Sequence, residues 1–115
     1  MVTFYCKKGC RTCQKARDWL DAHGVSYRFV DYTKEPPPEE LIQKIIAEFG
    51  EGALRRRHKR YKELKDQGPE AWMEAIREDP GLLIRPILVF EDGRYAVGFD
   101  PEYWESLFGD TGSGA

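Results

Sequence analysis

The sequence predicts an α/β fold: a mixed four-stranded sheet built from a β-α-β unit, an inserted helical stretch and a closing β-β-α unit. Three observations predict it. Short runs rich in β-branched and aromatic residues lie near both ends of the chain. Apolar residues at helical spacing fill the middle, and an Asp-Gly pair joins the last two strand-like runs.

Val2 to Cys6 reads as a short buried strand with no breaker, and Gly9 then permits a tight turn. From about Arg11, Ala16, Trp19, Leu20 and His23 follow i, i+3, i+4, i+7, and Gly24 marks the helix end. Tyr27 to Tyr32 alternates apolar and polar residues as a second strand. Pro36-Pro37-Pro38 breaks the chain, and Glu39-Glu40 opens a helix with charge favourable to its dipole. Leu41, Ile42, Ile45, Ile46 and Phe49 form the expected buried stripe, ended by Gly50 and Gly52. A basic helix is predicted from Leu54 to Lys65, and Gly68-Pro69 opens another carrying Trp72, Ala75 and Ile76. Ile87 to Phe90 is the third strand, Glu91-Asp92-Gly93-Arg94 a hairpin turn, and Tyr95 to Val97 the fourth strand. Asp100-Pro101 caps a last helix containing Tyr103, Trp104, Leu107 and Phe108.

This order is thioredoxin-like with helices inserted over about residues 38–79. The expectation is one domain over residues 1–110 and a flexible tail over 111–115. A chain of 115 residues suits a single core. The 20 acidic and 18 basic residues leave a net charge of −2, so no global field favours nucleic acid. The start does not resemble a signal peptide, and the apolar runs fall far short of the ~20 residues needed to span a bilayer. A cytoplasmic monomer with no membrane partner and no direct nucleic-acid partner is therefore expected.

The chemistry-bearing residues are clustered. All three cysteines, Cys6, Cys10 and Cys13, lie near the first strand-to-helix turn. A secreted disulfide scaffold would spread an even number along the chain, so redox chemistry or metal binding is indicated instead. Cys10 and Cys13 form a Cys-x-x-Cys around Arg11 and Thr12. At a helix start, unpaired backbone N–H groups and the dipole favour a Cys10 thiolate, with Lys7, Lys8 and Arg11 adding positive potential. Cys13, about one turn on, can attack a bond formed at Cys10. Two small buried hydrophobes are the bland alternative. Cys6 leaves other readings open. The Cys-x-x-x-Cys-x-x-Cys spacing matches an iron–sulfur motif whose enzymes are much larger, and a zinc site would need His23 or His58 as fourth ligand. Cys6 can also close the strand structurally or act as a second resolving thiol.

Two segments together resemble the arsenate reductase/Spx family. One is Met1-Val2-Thr3-Phe4-Tyr5 followed by Cys10-Arg11-Thr12-Cys13-Gln14-Lys15-Ala16 and Trp19-Leu20. The other is Asp79-Pro80-Gly81-Leu82-Leu83-Ile84-Arg85-Pro86-Ile87. The resemblance covers roughly residues 1–108. It implies a nucleophilic cysteine at Cys10, an oxyanion-binding Arg85 before a cis-Pro86, and a second arginine at Arg57, with Arg55 and Arg56 adjacent. The sequence departs from the glutaredoxin-linked arsenate reductases at two places. Cys6 stands where they carry a histidine, and Val97-Gly98-Phe99 where they carry a third arginine.

The expected activity is thiol-dependent reduction of arsenate at Cys10, with Arg85, Arg57 and Arg11 holding the anion. No bound cofactor is implied. Thioredoxin, or glutaredoxin with glutathione, would re-reduce the disulfide. The alternatives are an Spx-like redox regulator that binds RNA polymerase, with Gly52 at the contact, and a general thiol oxidoreductase. The basic run Arg55 to Arg60 is either a partner-binding face or simply solvated.

Overall fold

The computed structural model describes the backbone of residues 1–112 and the side chains of residues 1–108. Strand β1 (Val2–Cys6) pairs in parallel with β2 (Tyr27–Asp31) and antiparallel with β3 (Ile87–Val89). Strand β4 (Tyr95–Val97) pairs antiparallel with β3, giving the order β2-β1-β3-β4. The mixed sheet and its β-α-β, helical, β-β-α sequence are those the amino-acid pattern predicts.

The period-two alternation of the strands divides the interior into two layers. Phe4 and Cys6 join Leu88 and Ala96 on the face covered by α1 (Arg11–Ala22) and α5 (Pro101–Gly112). Cys13, Ala16 and Leu20 supply the buried stripe of α1. Trp104 of α5 is fully buried, meeting Trp19 and Phe99 edge to face with centroids 5.5 and 4.8 Å apart. On the other face, Ile87 packs with the buried stripes of α2 (Glu39–Phe49) and α4 (Pro69–Glu78). Local signals agree with these elements. Asp100 Oδ1 accepts hydrogen bonds from the Glu102 and Tyr103 amides, 3.1 and 3.4 Å, and Gly93 adopts φ +93° in the hairpin.

Four expectations are corrected. Phe49 is 41% exposed rather than part of the α2 stripe, because Gly50, at φ +58°, turns the chain into the 3₁₀ segment Gly50–Ala53. Only Tyr61–Leu64 (α3) of the predicted basic helix is helical. Before it, Leu54 forms an antiparallel bridge with Leu83: Arg55 N–H donates to Leu82 O (2.8 Å) and Ile84 N–H to Ala53 O (2.8 Å). Those long-range bonds use backbone groups that a helix would pair locally. Strand β3 ends at Val89, after which Phe90 exchanges turn bonds with Gly93 and Arg94. Finally, α5 continues through Thr111 and Gly112, so the predicted tail is helical there, while residues 113–115 lie outside the described residues.

Candidate functional site

The site forms where three chain segments meet at one end of β1. The first is the Lys7–Cys10 turn. Cys10 N–H points back to Lys7 O at 3.4 Å, and Gly9 occupies φ +80°, a conformation glycine adopts without side-chain strain. The turn delivers Cys10 to the N-cap of α1, where its carbonyl accepts the first helical bond from Gln14 N–H, 2.9 Å. The second segment enters β3. The Tyr5–Ile87 pairing brings the cis Arg85–Pro86 peptide beside the end of β1, and Gly98 N–H to Pro86 O, 2.8 Å, extends the ladder. The third is the Leu54–Leu83 bridge, which seats Arg55 against Leu82 and Gly81, just before Ile84 and Arg85 enter the site.

These segments enclose an open cleft lined by Cys10, Arg11, Thr12, Gly52, Leu54, Arg55, Arg56, Arg57, Ile84 and Arg85. Cys10 is the free cysteine and is partly exposed. Burial pulls its thiol pKa up, but the Cys13 amide, the Arg85 charge and the Thr12 amide outweigh that and hold it below the ordinary value. The two amides face the sulfur without closing a capping hydrogen bond. The Cys10 thiol therefore ionises more readily than an ordinary cysteine, beside a cleft lined by arginines.

Arg85 is anchored from below. Its Nη1 donates to the Tyr32 hydroxyl at 3.5 Å, and the hydroxyl in turn donates to Leu83 O. Tyr32 is fully buried, and burial pushes its pKa up to about 12, so it serves as a neutral bridge between guanidinium and backbone. Arg85 Nε is buried without an acceptor among the protein atoms. Arg55 reaches Gly81 O with Nη1 at 3.3 Å, and its pKa is lowered first by burial and then by the Arg85 charge. Among the described residues, no carboxylate forms an ion pair with Arg55, Arg57 or Arg85. Among the described residues, these guanidinium groups therefore stand without a carboxylate partner around the free Cys10 thiol.

Cys10, Arg11, Arg57 and Arg85 line one cleft, with Gly52, the expected partner contact, beside them, Gly9 in the turn before Cys10 and Pro86 after Arg85, but Cys13 has another partner. Arg55 is the least exposed of the three adjacent arginines, its backbone bonded to Leu82 and its guanidinium to Gly81, while Arg56 and Arg57 are exposed on the same cleft. Cys13 is not paired with Cys10. It is buried, and its sulfur is bonded to Cys6 with the Cα atoms 6.0 Å apart. The cause is orientation: Cys13 belongs to the inward stripe of α1 and faces the end of β1, while Cys10, as N-cap, faces the cleft. His23 stacks on Trp19 at 3.8 Å and His58 is hydrogen-bonded to Asp79 at 2.9 Å, so neither candidate metal ligand is engaged with the cysteines. Tyr32 is the residue that sequence reasoning missed, and Arg55 is one of three adjacent arginines among which the sequence leaves the register open. A tyrosine closing an alternating strand carries no signal of its polar role, and Arg55 is distinguished from its neighbours only by a long-range bridge.

A free cysteine at a helix N-terminus, facing a cis-proline loop on a four-stranded mixed sheet, defines a thioredoxin-like protein with an arginine-lined cleft. The ArsC family model matches residues 5–107, and the chain belongs to that family. It is similar to the global transcriptional regulator Spx of Listeria innocua, at 32% identity over 109 residues, covering 89% of this chain and 82% of the relative. The regulatory protein MgsR of Bacillus subtilis is 30% identical, covering 87% and 84%. Among solved structures, an arsenate reductase (ArsC) related protein from Brucella melitensis is 32% identical, with a TM-score of 0.69 and 93% of both chains covered. An arsenate reductase from Vibrio cholerae is 25% identical, with a TM-score of 0.71, covering 89% of this chain and 92% of that one. No helix among the described residues is long and apolar enough to cross a membrane.

Proposed function

We propose that the protein is a thiol oxidoreductase that reduces a tetrahedral oxyanion of the arsenate class, with Cys10 as nucleophile. The observation that carries this reading is the set of arginines, Arg55 and Arg85 innermost and Arg57 outside, left unpaired around a free cysteine whose thiolate is favoured.

Arsenate enters with its oxygens toward Arg85, Arg55 and the α1 amides, while Arg11 and Arg57 add charge at the mouth. The Cys10 thiolate attacks arsenic(V), forming a sulfur–arsenic bond as one oxygen leaves as water. A second thiol then attacks the Cys10 sulfur. The sulfur–arsenic bond breaks, its electron pair stays on arsenic, and arsenite departs, leaving a disulfide at Cys10. Glutathione with glutaredoxin, or thioredoxin, supplies the electrons that restore the thiolate.

The test is arsenate-dependent NADPH consumption coupled through thioredoxin or glutaredoxin. Turnover is expected in the wild type and none in Cys10→Ser; equal rates would remove Cys10 as the nucleophile. A redox regulator that contacts RNA polymerase is the second reading. Gly52 favours it, lying exposed on the rim of the same cleft, where an added Cβ would meet only Phe49 at 3.5 Å. Both curated relatives described above are regulators. Co-purification with polymerase that weakens in Gly52→Arg, without arsenate turnover, would establish this reading over the first.

A further inference from the structure

The reductase reading uses Cys10 and one resolving thiol, and leaves a buried pair of cysteines unexplained. Cys6 is fully inaccessible and Cys13 is 2% exposed, yet their sulfurs are joined, while Cys10 stands free in the cleft. An oxidant or protein reductant arriving from solvent meets Cys10 first. Cys13 stands between the other two: it follows Cys10 by three residues, Cys10 packs against the same buried cluster, and Cys13 contacts Cys6 across the helix–strand interface. The Lys7 N–H lies 3.4 Å from Cys13 Sγ and offers a backbone donor to charge on that sulfur.

We propose that the three cysteines form a disulfide relay in which Cys6 is the terminal resolving thiol and Cys10 the port through which the buried disulfide is made and reduced. The inference rests on the reading of Cys10 as nucleophile but not on arsenate as its substrate. With a hydroperoxide as oxidant, the Cys10 thiolate takes one oxygen to become a sulfenic acid, and the hydroperoxide leaves as an alcohol or water. The Cys13 thiolate attacks the Cys10 sulfur, forming the Cys10–Cys13 disulfide and expelling hydroxide, which is protonated to water. The Cys6 thiolate next attacks Cys13 Sγ. A Cys6–Cys13 bond forms, the Cys10–Cys13 bond breaks, and Cys10 leaves as a thiolate with no net electron transfer. Overall, one hydroperoxide accepts two electrons from Cys6 and Cys13, and Cys10 is regenerated. When arsenate is the oxidant, arsenite and water replace the hydroperoxide products and the last exchange is unchanged.

The arrangement separates chemistry from storage. The exposed thiol reacts and is released, while the oxidising equivalents are held in the core beside Ala16 and Leu20. Reduction runs the same exchanges backwards: Cys10 attacks Cys13 Sγ, frees Cys6, and presents a Cys10–Cys13 disulfide to the external reductant.

The test uses hydrogen peroxide and no arsenate, so its outcome is independent of the coupled arsenate assay. Reduced protein is treated with one equivalent of peroxide, quenched in acid over time, alkylated and mapped by peptide mass spectrometry. In the wild type, Cys10–Cys13 should appear first and give way to Cys6–Cys13, with Cys10 again open to alkylation. Cys6→Ala should stop at Cys10–Cys13, and Cys10→Ser should slow formation of Cys6–Cys13 at least tenfold. Because Cys6 is a core position, the exposed-site variant supplies a second measurement: pre-formed Cys6–Cys13 should be reduced by thioredoxin at least tenfold more slowly in folded Cys10→Ser than in the wild type. A wild type that ends at Cys10–Cys13, or a Cys10→Ser protein that forms or loses Cys6–Cys13 at the wild-type rate, would overturn the relay.

Discussion

Replacing Arg85 by alanine isolates the anion site from the fold. The side chain makes no ion pair among the described residues, and its contact with the Tyr32 hydroxyl is long, 3.5 Å, while that hydroxyl keeps its bond to Leu83 O. The variant should therefore fold with little loss of stability. What it removes is a charged donor lining the cleft, and one hydrogen bond to a charged group contributes about 1.5–3 kcal/mol. At 1.36 kcal/mol per tenfold change, the arsenate KM should rise about 10- to 150-fold. A further loss in kcat is expected because the Arg85 charge also helps hold Cys10 as a thiolate. Arg85→Lys should restore the thiolate but only part of the anion affinity, since an ammonium cannot reproduce the planar donor fork. The assay is initial-rate arsenate reduction across substrate concentrations, with circular dichroism confirming the fold. A KM and kcat within twofold of wild type in Arg85→Ala would refute the argument that this guanidinium holds the anion.

Iodoacetamide labelling of Cys10 against pH should give a midpoint below that of an ordinary cysteine, shifting upward in Arg85→Ala; an unshifted wild-type midpoint would contradict the lowered thiol pKa. With a folded pKa below the unfolded one, the thiolate's contribution to stability is present above the unfolded value and is lost as pH falls through the folded value. Tyr32→Phe leaves Leu83 O without its buried donor and frees Arg85, so urea denaturation should show a loss of about 1–3 kcal/mol together with a raised arsenate KM. The Asp79 carboxyl has its pKa lowered first by its hydrogen bond to His58, and it also accepts from Gly81 N–H at 3.0 Å. Its contribution is present above the unfolded carboxylate range and is lost as pH falls through the lower folded value. Asp79→Asn should therefore flatten the acid limb of the stability profile below about pH 4, measured by thermal melts.

The sequence by itself determined the elements whose signals are local. A breaker-free run of β-branched and aromatic residues marked β1, alternation marked β2, helical spacing and Gly24 bounded α1, Asp92-Gly93 marked the hairpin and Asp100-Pro101 the last cap, because each depends on residues within a turn or two of one another. It also located Cys10 at a strand-to-helix junction, which is enough to favour a thiolate. Three features were decided only by tertiary structure. Leu54 bridges Leu83 across 29 positions of chain, so the basic run is unwound there and Arg55 takes the inner place on the cleft while Arg56 and Arg57 stay exposed. Tyr32 becomes the anchor for Arg85 because β1 and β3 bring residues 53 positions apart into contact. Cys13 pairs with Cys6 rather than Cys10 because a helix N-cap and the third position after it face different directions, one toward the cleft and the other toward the core. A cysteine spacing fixes which sulfurs are near one another along the chain, but the packing of helix against strand fixes which of them can bond.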